Sequence, residues 1–195
     1  MKNILFNIGF TGHRPNKMYG YNLSDQRYIA LKNKIKNVIK ELHKNHNEIN
    51  GIVGGALGFD TLMFDALYEL KQELDDIYIT MAIPFEQQYS KWPADSKRKY
   101  LQQRDNADIV IYVDTIDKYK VPNTAEGMYE SKKLFKRNEY IVDNSDILIA
   151  CINDLKSSSG HCAKYFKSTK PDNSIIYINP DNLEIEVNKL QWKIC

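Results

Sequence analysis

Six short apolar runs rich in β-branched residues, alternating with stretches of helical periodicity, set the narrowest limit on how this chain can fold. The runs are Ile4 to Thr11, Gly51 to Gly54, Ile77 to Ile83, Ile109 to Val113, Asp146 to Ile152 and Ser174 to Ile178. Most are apolar at both alternating positions, which is the pattern of strands covered by helices on both sides and hence of a parallel sheet. The intervening periodicity predicts helices over about Ser24 to His46, with Ser24 as N-cap, then Ala56 to Glu73, Pro93 to Asn106 and Ala125 to Tyr140, and a shorter one after Gly160. The fold class expected is α/β: a Rossmann-like, doubly wound, mostly parallel sheet of about six strands with helices on both faces. With 195 residues the chain is expected to be a single domain spanning 1–195. A domain of that size buries roughly 70% of its unfolded surface and needs no staple.

Ligands in doubly wound folds bind beyond the carboxyl ends of the strands, so the residues there are the first candidates. The first run ends in Thr11-Gly12-His13-Arg14-Pro15. Glycine lets the backbone approach an anion, Arg14 can grip phosphate or carboxylate through two bonds, and His13 can shuttle a proton near neutrality. A tight turn with a solvated arginine explains the same residues. The second run ends in Gly54-Gly55-Ala56-Leu57-Gly58-Phe59-Asp60 at a strand-to-helix junction, an arrangement that can cradle phosphate on helix N-terminal amides. It matches neither the Walker pattern nor the dinucleotide fingerprint. Asp60 there is either a carboxylate favoured by the helix dipole or one that holds a hydroxyl or works in acid–base chemistry.

Three further places follow the same logic. Pro84 and Phe85 close the third run, with Tyr89 and Trp92 behind them, and aromatic side chains there either stack a base or cap the core. Arg137 and Asn138 lie in the fourth helical stretch, and Ser159-Gly160-His161 opens the last one. The segment Asp114 to Thr124 lacks periodicity and reads as a binding-site flap or a surface insertion.

Composition narrows the chemistry. The chain holds 22 Lys but only 5 Arg, so the retained arginines are more informative than the lysines. Cys151, Cys162 and Cys195 form no Cys-x-x-Cys pair and no even disulfide framework, and His43 with His46 lacks completing ligands, so neither a metal nor a cofactor is expected. Cys162 beside His161 does not read as a nucleophile and base, because neighbours on a helix point apart. No apolar stretch approaches the roughly 20 residues that span a bilayer, and the expectation is a cytoplasmic protein without a membrane partner. The near-neutral net charge of +2 conceals a surplus of +7 over residues 1–47 and a deficit of 7 over residues 48–86. Lys32, Lys36, Lys40 and Lys44 recur every four positions, as a phosphate-binding stripe or simply the solvated face of a helix.

Taken in order, Thr11 to Pro15, Gly54 to Asp60, Ile83-Pro84-Phe85, Arg137-Asn138, Ile141-Val142-Asp143 and Ser145-Asp146 resemble the DUF1273/YpsA-like group of the SLOG superfamily. That superfamily also holds the Lonely guy phosphoribohydrolases and the DprA/Smf DNA-processing proteins. The resemblance implies a nucleotide or nucleotide-derived ligand such as an ADP-ribose-like compound. Carried over residue by residue, its contacts fall on Gly12, His13, Arg14, Gly54, Gly55, Gly58 and Asp60. Thr11, Ala56, Pro84, Phe85, Arg137, Asn138, Ser159, Gly160 and His161 are further candidate contacts. It also implies self-association into a homo-oligomer. The later loop reads Ser159-Gly160-His161 where the group commonly has Gly-Gly-Thr, and the Pro-Gly-Gly-x-Gly-Thr-x-x-Glu string of the phosphoribohydrolases is missing. Three functions are therefore expected in descending order: a sensor, carrier or sequestering protein for such a ligand; a hydrolase of an N-glycosidic or phosphoester bond using Asp60 or His13; and a DprA-like nucleic-acid binder.

Overall fold

The alternation resolves into strands β1 Phe6–Gly12, β2 Ile49–Val53, β3 Ile77–Ile83, β4 Ile109–Tyr112, β5 Ile147–Cys151, β6 Ile175–Ile178 and β7 Ile185–Asn188. Between them lie helices α1 Gln26–His43, α2 Phe59–Glu73, α3 Ala94–Asp105, α4 Ser131–Asp143 and α5 Ser158–Thr169. The computed structural model describes residues 5–188. Ile4, placed at the start of the first strand by the sequence, and Cys195 lie outside the described residues.

The strands form one seven-stranded sheet in the order β4-β3-β2-β1-β5-β6-β7, with every pairing parallel except β6 with β7. The chain runs outward from β1 through β4, then crosses back along α4 to the other side of β1. β1 and β5 therefore flank the switch point at which strand order reverses, where a crevice opens beyond the strand ends. β5 shows why the sheet is covered twice. Ile147, Ile149 and Cys151 join the core under α1 and α2, while Leu148, Ala150 and Ile152 join the one under α5.

Several boundaries differ from the sequence expectation for identifiable reasons. Asp25, not Ser24, caps α1, its carboxylate accepting from Arg27 N at 2.9 Å. α4 begins at Ser131 rather than near Ala125, because residues 121–130 are held as a loop; Glu130 caps the helix and Arg137 falls in mid-helix. α5 starts before Gly160, with Ser157 as N-cap accepting from Gly160 N. The seventh strand went unexpected, although Glu184-Ile185-Glu186-Val187 alternates with period two as an antiparallel edge strand should.

The opposite charge surpluses of the first two segments meet across the α1–α2 contact. Lys32 and Lys36 pair with Glu69 at 2.5 and 3.0 Å, and Lys36 and Lys40 pair with Glu73 at 2.8 and 2.6 Å. Lys44 turns to Glu41. The lysine stripe thus faces its own acidic helix instead of a free basic surface. Hydrogen bonds from Lys36, then Lys40, lower the Glu73 pKa to about 2. A carboxylate depressed in the folded state stabilises fully above its unfolded pKa of about 4.3 and loses that contribution as pH falls through its folded value. Wild type is therefore expected to exceed Glu73→Gln in urea midpoint at pH 6, with the gap narrowing steadily from pH 5 to pH 3. A gap independent of pH would contradict the pairing.

Candidate functional site

The crevice at the switch point is walled by the residues that β1, β2 and β5 deliver at their carboxyl ends and by one face of α4. Thr11, Gly12 and Arg14 come from the β1 end, Ala56, Leu57 and Asp60 from the junction into α2, and Ser158 and Ser159 from the start of α5. Leu134, Arg137 and Asn138 come from α4, where spacings of three and four put them on one face. The cleft has a volume of about 200 Å³.

Its charged centre is an ion pair. Arg137 Nη1 donates to Asp60 Oδ2 at 3.0 Å, and the same oxygen accepts from Ala56 N at 3.1 Å. Both side chains are more than nine-tenths buried. Arg137 Nε is buried without a hydrogen-bond partner among the described residues, so the guanidinium fork is only partly used there. Arg14 stands at the rim, with surface open to solvent. Desolvation by the surrounding protein, and then the like charge of Arg137, still lower its pKa, while Asp60 pulls the other way. Arg14 nevertheless keeps its charge, as arginine does in proteins. The charged residues of the cleft wall are thus two guanidiniums and one carboxylate. A bound anion would relieve the repulsion between the two arginines.

The glycines of the junction serve the chain's own packing. A Cβ on Gly54 would lie 1.3 Å from Arg137 Nη1 and 2.7 Å from Asp60 Oδ2, so Gly54 is the seat of the guanidinium. Gly58, the N-cap of α2, has φ +94, and a Cβ there would meet His13 O at 2.9 Å. Gly55 accepts from Gln88 Nε2 through its carbonyl.

The remaining candidates lie away from the cleft wall. His13 is buried, with Nε2 2.9 Å from Asn153 Oδ1 and 3.2 Å from Asn153 N, and ties the loop after β1 to the loop after β5 instead of meeting Asp60. Pro84 and Phe85 are buried, Phe85 packing edge-on against Tyr129. Gly160 is buried against the backbone of Leu155, and His161 is exposed, set against Phe135. Burial pushes the Cys162 thiol up to about 12, which leaves it protonated and unreactive. The sequence reading did not single out Leu57, Leu134 or Ser158. Leu134 was findable as the residue one helical turn before Asn138.

The Asp114 segment, read as a flap or an insertion, is pinned. Lys133 Nζ, 2% exposed, donates to Asp114 Oδ2 at 2.8 Å and to the carbonyls of Ala125 and Met128 at 2.6 and 3.0 Å. Asp114 Oδ2 also accepts from Gly127 N. This buried pair fixes loop 121–130 to the first turn of α4, one turn from Arg137. Among the described residues no helix is long and apolar enough to cross a membrane, and no group of three or more His, Cys, Asp or Glu is placed to hold a metal ion.

The YpsA family model, described as the YspA SLOG family, matches residues 8–183. The chain belongs to this SLOG family. It is 35% identical over 160 residues to the SPbeta prophage-derived protein YoqJ of Bacillus subtilis, covering 82% of this chain and 94% of that one. With the YpsA protein of the same organism it shares 26% identity over 190 residues, 93% of this chain and 97% of the relative. Among solved structures, DNA processing protein A of Helicobacter pylori, described for its single-stranded DNA binding mode, superposes with a TM-score of 0.58 at 18% identity, covering 91% of this chain and 70% of that one. Its Streptococcus pneumoniae counterpart gives 0.58 at 17% identity, covering 89% of this chain and 50% of the other. At such identities the likeness shows the fold alone.

Proposed function

We propose that this SLOG protein binds a nucleotide or nucleotide-derived small molecule in the cleft at the strand ends, as a sensor, carrier or sequestering protein. The observation that carries this reading is the convergence of Arg14 and Arg137 on one crevice at the switch point, opposed there by the single carboxylate of Asp60. A phosphate-bearing ligand supplies the missing negative charge and can use both guanidiniums. The hydroxyl-bearing first turn of α5 adds a helix N-terminus on the same wall. Bond cleavage has less support, since Asp60 is engaged by Arg137 and Ala56 N and His13 faces Asn153. DprA-like nucleic-acid binding loses the lysine stripe, which is engaged by Glu69 and Glu73.

Isothermal titration against nucleoside mono- and diphosphates and ADP-ribose tests the reading. At least one phosphorylated compound is expected to bind ten or more times tighter than its parent nucleoside, with affinity falling as salt rises, on the order of 1.4 kcal/mol per factor of ten. Absence of heat with every compound, from protein shown by circular dichroism to be folded, would remove it.

A further inference from the structure

We propose that the cavity on the other side of Leu57 from the cationic cleft is a second subsite, which takes the uncharged, planar heteroaromatic part of the ligand. This inference rests on the anion-cleft reading above and extends it. The cavity, about 160 Å³, is walled by Pro15, Tyr21, Leu23, Leu57 and Tyr100, with the first turns of α3 along one edge. Leu57 borders both spaces, so a ligand lying across that one side chain reaches from one into the other.

The two spaces differ in charge. The cationic cleft holds two guanidiniums against one carboxylate. In the neighbouring cavity the charged rim residues are already paired, Asp95 with Arg98 at 2.7 Å and Lys99 with Asp65 at 2.8 Å. It therefore presents apolar and aromatic walls without an uncompensated charge, unsuited to phosphate and suited to a flat neutral ring. Tyr21 is 71% exposed at its mouth, where an aromatic ring without a core role is placed to cover a ligand ring. Tyr100 is almost fully buried and lends its ring, stacked on Tyr89, to the cavity wall. A molecule with a phosphate at one end and a base at the other matches this division.

The test compares adenosine 5′-monophosphate with ribose 5-phosphate, which carries the same phosphate without the base, on wild type and on Tyr21→Ala. Tyr21 is exposed, so its removal leaves folding intact. Wild type is expected to bind the nucleotide about tenfold tighter than the sugar phosphate, the scale of one base stacked on an aromatic ring. Tyr21→Ala is expected to abolish that difference while leaving the sugar phosphate affinity unchanged. Equal binding of the two probes by wild type, or an equal loss of both in Tyr21→Ala, overturns the second subsite and leaves the anion cleft standing. Binding of neither probe overturns both.

Discussion

Lys133→Met is expected to lower the melting temperature by roughly 10 °C, from a loss of about 3–5 kcal/mol when one partner of a buried ion pair is removed. Lys133 and Asp114 are both 2% exposed at the side chain and 2.8 Å apart. Without the ammonium, Asp114 keeps only the Gly127 amide, and the carbonyls of Ala125 and Met128 lose their shared donor. One oxygen, Asp114 Oδ1, is already buried without a hydrogen-bond partner among the described residues, which offer the carboxylate no second anchor through it. Pairing Lys133→Met with Asp114→Leu is expected to recover part of the loss, because a buried pair replaced by apolar groups of similar size is often tolerated. Thermal melts of the three proteins decide it. A single variant melting within two degrees of wild type, a margin of about 1 kcal/mol at this chain length, would mean the loop is held by something else.

Gly54→Ala is expected to damage binding more than its one added methyl group suggests. The new carbon would overlap Arg137 Nη1, so the guanidinium must leave its seat and with it Asp60. Displacing a hydrogen-bonded buried charge costs about 2–5 kcal/mol, so nucleotide affinity should fall on the order of 30-fold or more. Stability should fall with it, since Asp60 is then left with the Ala56 amide alone. Unchanged affinity in a folded Gly54→Ala protein would show that Arg137 does not hold the ligand from this position.

The central architecture was legible because periodicity is a property of the chain itself. Runs such as Ile77–Ile83 had to be buried on both faces, and the position of the crevice followed from strand order. What the sequence hid was partnership. Gly54 reads as a phosphate contact because a glycine forced by a close approach looks the same whether the approaching group is a ligand or the chain's own arginine. The lysines of α1 read as a basic face because Glu69 and Glu73 lie more than thirty positions away in sequence. His13 looked like a proton shuttle until the fold set it against Asn153, 140 residues on. The loop before α4 carried a helical pattern that the three bonds to Lys133 Nζ override.

Whether Arg14 and Arg137 together hold a ligand's anionic group is tested most directly by Arg14→Gln, because Arg14 sits at the exposed rim and, among the described residues, makes no salt bridge. Titrated with the nucleotide that wild type binds best, Arg14→Gln should keep the wild-type melting temperature. It should bind about tenfold or more weakly, the cost of a lost charge-assisted contact, with a shallower dependence on salt. Wild-type affinity and salt dependence in Arg14→Gln would contradict the account.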